Sequence, residues 1–152
     1  MRSVTTIGYE GTTVERFLAA LAAAGVDLVV DVRAVASSRR PGFSKTMLAA
    51  NLAGAGIGYL HLRGLGTPAD GRAAARAGRH DEMRAVFGEH LATPEAHRDL
   101  VALADVVESG RRVSLLCYEA DPATCHRRLV AGALAALVPI EVTDLVPGPP
   151  AP

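Results

Sequence analysis

The chain has few aromatic residues and no excess of charge of either sign. Aromatic residues make up 4% of its 152 residues, and tryptophan is absent. Sixteen Lys and Arg residues balance sixteen Asp and Glu residues. This composition disfavours a broad nucleic-acid surface, because such surfaces carry a basic excess and aromatic stacking platforms. A local basic patch is still compatible with it.

Long apolar runs and an export signal are also lacking. No apolar stretch reaches the roughly 20 residues of a membrane-spanning helix, because charged residues or glycines interrupt each candidate. The N-terminal residues lead directly into a strand-like segment, without the apolar region of a signal peptide. The two cysteines therefore predict a cytoplasmic protein, in which thiols are free or bind a metal more readily than they form a structural disulfide.

The hydrophobic pattern alternates between short β-rich runs and helical periodicity. Strands are predicted at Val4–Ile7, Leu28–Val32, Ile57–Leu62, Val113–Cys117 and Ile140–Leu145. Helices are predicted after Thr12 or Thr13, after Ser44, and at Met83–Leu91, Glu95–Glu108 and Pro122–Leu137, while Arg63–His80 reads as a long basic connection. We expect one α/β domain over 1–146, a three-layer α/β/α sandwich with a mostly parallel, Rossmann-like sheet of about five strands, and a disordered Pro/Gly tail over 147–152. Strand order and the direction of the last strand stay open.

Polar residues follow four of the predicted strands. These strand ends are Gly8–Gly11, Asp31–Arg33, His61–Arg63 and Cys117–Glu119. Ligands of parallel sheets bind beyond the carboxyl ends of the strands. The pattern therefore predicts a single site at this edge of the sheet.

The segment from Cys117 to Arg128 carries the most chemistry, because both cysteines lie in it. Asp121 and Pro122 predict a helix start whose free N–H groups, near residues 123–125, bind an anion or lower the pKa of a thiol. Cys117 is the predicted nucleophile, with His126 and Glu119 as its acid or base partners. The alternative is that Cys117 is simply a small buried hydrophobic residue.

The same segment offers metal ligands. Cys117, Cys125 and His126, with His61 as a further candidate, would form a set of the type that binds zinc. A metal is not favoured, because Cys125 and His126 are adjacent and cannot easily share one ion from a regular helix. The sequence requires no cofactor.

Arginines and serines supply candidate anion-binding groups. Arg33 and Arg39 follow the second strand, with Ser38 beside them, and Arg127 follows His126. Arginine binds phosphate or carboxylate through two parallel hydrogen bonds, so these residues predict a small anionic ligand. In the alternative reading, Asp31 merely pairs with an arginine. Arg128 is predicted to be a solvated surface charge.

Several motifs together resemble the domain-of-unknown-function 488 family of small bacterial and archaeal proteins. The matching stretches are Thr6–Gly11, Leu28–Arg33, Ser38–Lys45, Gly56–Leu62, Leu65–Pro68 with Arg72, and Leu115–Pro122 with Cys125–Arg127. The resemblance covers about Val4 to Leu145 and implies functional positions at Gly8, Tyr9, Arg33, Ser38, Arg39, Cys117, Glu119, Cys125, His126 and Arg127. It does not imply an activity. The residues Ala34–Ala36 depart from the family, which often has a proline there.

A weaker analogy concerns rhodanese-like domains, which Asp31–Arg33 and the strand, Cys117 loop and helix resemble. In those proteins a cysteine after a strand carries sulfur. The acidic residues Glu119 and Asp121 strain this analogy, because an anion-cradling loop is normally rich in glycine and arginine.

Three functions follow as hypotheses. The leading one is an intracellular Cys-dependent hydrolase or transferase that acts on a nucleotide or a phosphate-like substrate, with His61 also at the site. The second is a non-catalytic nucleotide- or nucleic-acid-binding module that uses the basic segments 33–40 and 63–79. The third is a metal-binding or thiol-redox protein. Substrate, reaction and oligomeric state cannot be deduced from the residues alone.

Overall fold

Five short segments form one parallel sheet in the computed structural model, which describes residues 1–148. The strands are β1 (Arg2–Gly8), β2 (Leu28–Asp31), β3 (Gly58–His61), β4 (Val113–Cys117) and β5 (Ile140–Leu145). Their order is β3-β2-β4-β1-β5, and every neighbouring pair is parallel, including β5 with β1. The predicted parallel sheet of about five strands is confirmed.

Six helices connect and cover the strands. They are α1 (Val14–Ala23), α2 (Lys45–Gly54), α3 (Ala69–Arg76), α4 (His80–Leu91), α5 (Pro94–Glu108) and α6 (Arg127–Ala135). Capping explains two of the starts, because Thr13 accepts a hydrogen bond from the Arg16 amide and Thr93 accepts one from the Ala96 amide, with Pro94 at the first helical position. No helix in the described part of the chain is long and apolar enough to cross a membrane.

The helices form two layers, one on each face of the sheet. On one face α1 and α2 pack against the strands through a core that includes Phe17, Leu21, Val29, Leu48, Leu52 and Leu116. On the other face α3 to α6 contribute Ala74, Phe87, Leu103, Val107, Val130 and Leu134 to a second core with Val30 and Leu115. Because strand residues alternate between the two cores, both faces are covered, and the predicted α/β/α sandwich is confirmed.

The segment Arg63–His80, predicted to be a loop, is largely helical. A 3₁₀ turn at Arg63–Leu65 leads into α3, which packs against α4. The prediction was wrong because it followed the glycines at both ends, which indicate a loop, although the alanines at 69, 73, 74 and 75 favour helix. The connection is therefore a rigid wall and not a flexible loop.

The last long helix begins later than predicted. Asp121 accepts a hydrogen bond from the Ala123 amide and caps a 3₁₀ turn at Pro122–Thr124, after which Cys125 is extended (φ −118°, ψ 145°). The α-helix starts only at Arg127, with His126 as its N-cap. Cys125 and His126 therefore do not lie on consecutive positions of a helix.

The predicted tail at 147–152 falls mostly outside the described residues. Residues 149–152 are not described, whereas the Gly148 carbonyl accepts a hydrogen bond from Thr12 Oγ1 at 3.1 Å.

Candidate functional site

A cleft of about 480 Å³ opens beyond the carboxyl ends of β1, β2 and β4. The sheet side of its lining includes Tyr9, Arg33, Cys117, Glu119 and His126. Ser37 and Ser38 line it from the loop after β2, and Arg72 and Arg76 line it from α3. Several polar residues that the strand ends predicted therefore meet in one cavity.

Cys117 lies at the end of β4 between an imidazole and a carboxyl group. Its Sγ is 3.5 Å from His126 Nδ1 and 3.5 Å from Glu119 Oε2. The other ring nitrogen of His126, Nε2, lies 2.7 Å from the Val32 carbonyl oxygen. Because a carbonyl can only accept, Nε2 carries the proton, and Nδ1 of the neutral ring presents a lone pair towards the sulfur.

Cys125 lies next to this pair but does not line the cleft. Its side chain is 3% exposed, and its Sγ is 3.9 Å from the same His126 Nδ1. The two sulfurs and Nδ1 all lie within 4.8 Å of one another. Both cysteines are free thiols. The sequence argument against a shared ion assumed a regular helix at residues 125–126, and that assumption is wrong.

Electrostatics distinguish the two thiols. A hydrogen bond with Cys125 and burial raise the pKa of Cys117 well above its ordinary value. Burial raises the pKa of Cys125, but hydrogen bonds with Cys117 and His126 outweigh burial and bring it well below the ordinary value. These shifts favour a thiolate at Cys125 over one at Cys117, which the sequence predicted to be the nucleophile.

The charge of His126 is coupled to these thiols. Burial lowers the pKa of His126. The hydrogen bond with Cys125 and the remaining contacts together outweigh burial, so the pKa is raised overall. Phe87 packs edge-on against the ring, with centroids 5.1 Å apart. The imidazole is therefore held on one side by an aromatic ring and at Nε2 by a backbone carbonyl.

Glu119 is a half-buried carboxyl group on the cleft wall. Burial is the main cause that raises its pKa to about 7, and the neighbouring Cys125 adds to it. The position of its backbone is determined by close packing, because a Cβ on Gly8 would lie 1.9 Å from the Glu119 carbonyl oxygen. Gly8 therefore has a steric role here, which differs from the substrate-binding role predicted for it.

Arg127 does not bind an anion in this arrangement. Its side chain is fully buried, and its guanidinium donates to the Thr6 hydroxyl and to the carbonyls of Glu119 and Ala120. It therefore supports the loop after β4 from beneath and does not line the cleft. The anion-binding role predicted for Arg127 does not agree with these contacts.

The amides predicted to bind an anion are also occupied. The N–H groups of Ala123, Thr124 and Cys125 donate to the side chain of Asp121 and to the carbonyls of Asp121 and Pro122. The 3₁₀ turn uses these donors internally, so this segment provides no backbone anion site.

Arg33 lines the cleft, but most of its donors are used within the protein. It contacts the buried Asp31 carboxylate through Nε and Nη2, at 2.9 Å and 2.7 Å, and donates from Nη1 to the Tyr9 hydroxyl and the Phe43 carbonyl. Tyr9 in turn stacks on Phe43, with ring centroids 4.6 Å apart. The alternative reading of this residue, a buried pair with Asp31, accounts for its contacts better than an anion-binding role.

The remaining predicted site residues divide into two groups. Ser38 lines the cleft, and its Oγ accepts a hydrogen bond from the Arg40 amide. Arg39 is exposed outside the cleft lining, and His61 uses Nε2 on the Arg33 carbonyl at 2.7 Å. Arg39 and His61 are therefore not brought to the site. Arg128 is exposed, as predicted.

Sequence reasoning missed the cationic side of the cleft. Arg72 and Arg76 are four residues apart on α3, so they share one helical face. Arg72 donates to the Thr67 carbonyl at 2.9 Å, and within residues 1–148 neither arginine is paired with a carboxylate. The spacing of Arg72 and Arg76 in an alanine-rich segment predicts a cationic helical face, but only if the segment is taken to be a helix.

Comparison with known proteins gives a family but no activity. The family model described as "Domain of unknown function DUF488" matches residues 13–134, most of the chain. No curated protein and no solved structure shows a significant match.

Proposed function

Because the chain belongs to the family of the domain of unknown function DUF488, whose description states no activity, we propose a function from the site itself. The protein is an enzyme that acts on a small anionic substrate, a nucleotide or a related phosphate, in the cleft at the strand ends. Its reaction class is hydrolysis or group transfer. The reaction centre is the group formed by Cys117, Glu119 and His126.

The observation that carries this proposal is the composition of the two sides of the cleft. One side presents the guanidinium groups of Arg72 and Arg76 on α3. The other presents Cys117, Glu119 and His126. Cys117 Sγ lies 3.5 Å from Glu119 Oε2 and 3.5 Å from His126 Nδ1. A ligand held by the arginines would therefore lie against a group that can exchange protons.

Arg72 and Arg76 are suited to bind the anion. A guanidinium matches phosphate with two parallel hydrogen bonds, and these two side chains have donors left to offer within the described chain. Ser37 and Ser38 supply hydroxyl groups on the adjacent part of the lining. Arg33 supports this arrangement indirectly, by holding Tyr9 in the wall.

The alternative of a non-catalytic nucleic-acid surface is less well supported. It relied on the basic segments 33–40 and 63–79, but Arg33 is paired with Asp31 and Arg79 is paired with Glu82. Arg72 and Arg76, which have no carboxylate partner in the described chain, face a cavity and not an extended groove. Free thiols in a buried pair are also typical of the reducing cytoplasm, which is the compartment that we propose.

Ligand binding tests the substrate class. Inorganic phosphate and a series of nucleotides would be titrated calorimetrically into the native protein and into Arg72→Ala, Arg76→Ala and Arg84→Ala. Arg84 is a matched control, because it is an exposed arginine on α4 outside the cleft lining. We expect each cleft variant to weaken binding about tenfold or more, since a hydrogen bond to a charged group contributes about 1.5–3 kcal/mol, and the control to leave it unchanged.

Turnover tests whether the protein is an enzyme. The bound nucleotides and phosphoesters would be screened for hydrolysis and transfer, with Glu119→Gln as the comparison. We expect Glu119→Gln to lose turnover and to retain its affinity for the ligand. If the protein instead binds duplex or single-stranded nucleic acid with a steep salt dependence and ignores mononucleotides, the enzyme proposal fails.

A further inference from the structure

Two thiols and an imidazole nitrogen converge at the inner wall of the cleft at distances that suit a metal ion. In a tetrahedral zinc site, bond lengths of about 2.3 Å to sulfur and about 2.0–2.1 Å to nitrogen place sulfur and nitrogen about 3.6 Å apart and two sulfurs about 3.8 Å apart. His126 Nδ1 lies 3.5 Å from Cys117 Sγ and 3.9 Å from Cys125 Sγ. Two edges of one tetrahedral face therefore already have suitable lengths, and the two sulfurs lie within 4.8 Å of each other.

The hydrogen bonding of His126 provides a second, independent observation. Nε2–H donates to the Val32 carbonyl at 2.7 Å, which directs the Nδ1 lone pair towards both sulfurs at once. Metal-binding histidines almost always have such a partner on the nitrogen that does not bind the ion.

Local backbone conformation explains how two adjacent residues reach the same point. Cys125 is extended and His126 is the N-cap of α6, so their side chains converge on Cys117 at the end of β4. Arg127 holds the intervening loop by donating to the carbonyls of Glu119 and Ala120. All three converging side chains are at most 6% exposed.

We propose that Cys117, Cys125 and His126 are the protein ligands of a zinc ion. Cys117 and His126 line the cleft, so the fourth coordination position faces the cavity, as in zinc sites that retain a position for water or substrate. Zn²⁺ would bind the two cysteines as thiolates and the imidazole in its neutral form, and the two thiolates balance the charge of the ion in a buried place. The Glu119 carboxyl, 3.5 Å from Cys117 Sγ, lies beside that position.

This site shares Cys117 and His126 with the proposed reaction centre. When they bind zinc they act as ligands, and Glu119 is left as the group that exchanges protons. Zinc binding is decided by the three ligands, whereas anion binding is decided by Arg72 and Arg76. The two proposals can therefore fail separately. Metal content and coordination can be measured without any substrate.

The first experiment is metal analysis of the full chain, purified without chelators. We expect one zinc per chain, retained on dialysis. Zinc removed from the native protein by a competing chelator should be replaced by Co²⁺ with thiolate-to-cobalt charge-transfer absorption and the intense visible bands of tetrahedral cobalt.

Variants assign the ligands. Cys117→Ser, Cys125→Ser and His126→Ala should each weaken zinc binding by more than about 100-fold, above the 10–100-fold that loss of an outer hydrogen-bond partner costs. His61→Ala is the matched control, because His61 also directs Nε2 to a backbone carbonyl at 2.7 Å but has no thiol beside it. This control should bind zinc and cobalt as the wild type does.

Each contrary result is clear. A native wild-type protein that takes up neither zinc nor cobalt stoichiometrically would overturn the site, and so would His126→Ala with unchanged affinity. A reduced protein that takes up no zinc but forms a Cys117–Cys125 disulfide with an added oxidant, which removes two electrons and two protons, would show a redox pair in its place. Because the wild-type measurements need no variant, a variant that fails to fold does not remove the test.

Discussion

Arg33 Nη2 lies 2.7 Å from Asp31 Oδ2, and both side chains are almost completely buried at the carboxyl end of β2. Tyr9 and the Phe43 carbonyl occupy Arg33 Nη1, and Tyr59 donates to the same Asp31 oxygen. The pair therefore joins β1, β2, β3 and the segment before α2. It supports the floor of the cleft more than it recognises a ligand.

Asp31→Asn should destabilise the protein strongly. It leaves the Arg33 charge buried without its counter-ion, and breaking a buried pair in this way costs about 3–5 kcal/mol. The free energy of unfolding in urea measures the effect. Asp81→Asn is the matched control in an exposed pair with Arg84, and we expect a change within about 0.5 kcal/mol. Equal effects of the two substitutions would show that burial of the pair is unimportant.

Gly8→Ala should displace the loop that carries Glu119. The added Cβ would lie 1.9 Å from the Glu119 carbonyl oxygen, so β1 or the loop must move, at a cost of about 1–3 kcal/mol or more. Gly132→Ala on the exposed face of α6 is the control, because its Cβ meets no atom within 4 Å. That change should stabilise the protein by about 0.5–1 kcal/mol. Thermal and urea unfolding of both variants check the opposite signs.

Arg127→Lys should destabilise the protein although it retains the positive charge. A lysine cannot reproduce the three directions in which the guanidinium donates to Thr6, Glu119 and Ala120. We expect a loss of about 2 kcal/mol or more in unfolding experiments, since buried acceptors lose their partners. Arg128→Lys, one residue away and 56% exposed, should have no measurable effect. If both variants are as stable as the wild type, the supporting role of Arg127 is refuted.

Tyr59 should make the stability depend on pH in the alkaline range. Burial, followed by the hydrogen bond to Asp31, raises the pKa of Tyr59 above its ordinary value. The folded state thus favours the un-ionised phenol. This stabilisation is fully present below the ordinary tyrosine pKa of about 10 and is lost as the pH rises towards the folded-state value.

Comparison with Tyr59→Phe isolates this effect. The difference in unfolding free energy between wild type and variant should narrow as the pH is raised from about 9 to about 11. A difference that stays constant over this range would exclude the contribution of Tyr59.

The sequence was most informative where a local pattern determines the structure. The runs Val113–Cys117 and Ile140–Leu145 form strands with the predicted bounds, because short runs of apolar or alternating residues are typical of strands. Strand order was not accessible, since β1 pairs with β4 and β5 through contacts between residues more than 100 positions apart. Helix α3 was missed because its flanking glycines resemble a loop.

For the site, residue position was easier to predict than residue role. Cys117, Glu119, His126, Tyr9 and Ser38 do line one cleft. Arg127 and His61 have side chains that could bind an anion and lie near strand ends, but they contact backbone carbonyls inside the protein. A sequence shows which donors exist, but not which of them folding has already satisfied.

The order of the strands has a consequence for biosynthesis. Strand β1 leaves the ribosome before the other four strands and lies between β4 and β5, so its hydrogen-bonding partners on both sides are more than 100 residues away along the chain. Only β2 and β3 can pair early, since about 30 residues separate them. The centre of the sheet therefore forms only when residues 113–117 have emerged, and β1 must remain unpaired until then. The edge strand β5 is added last.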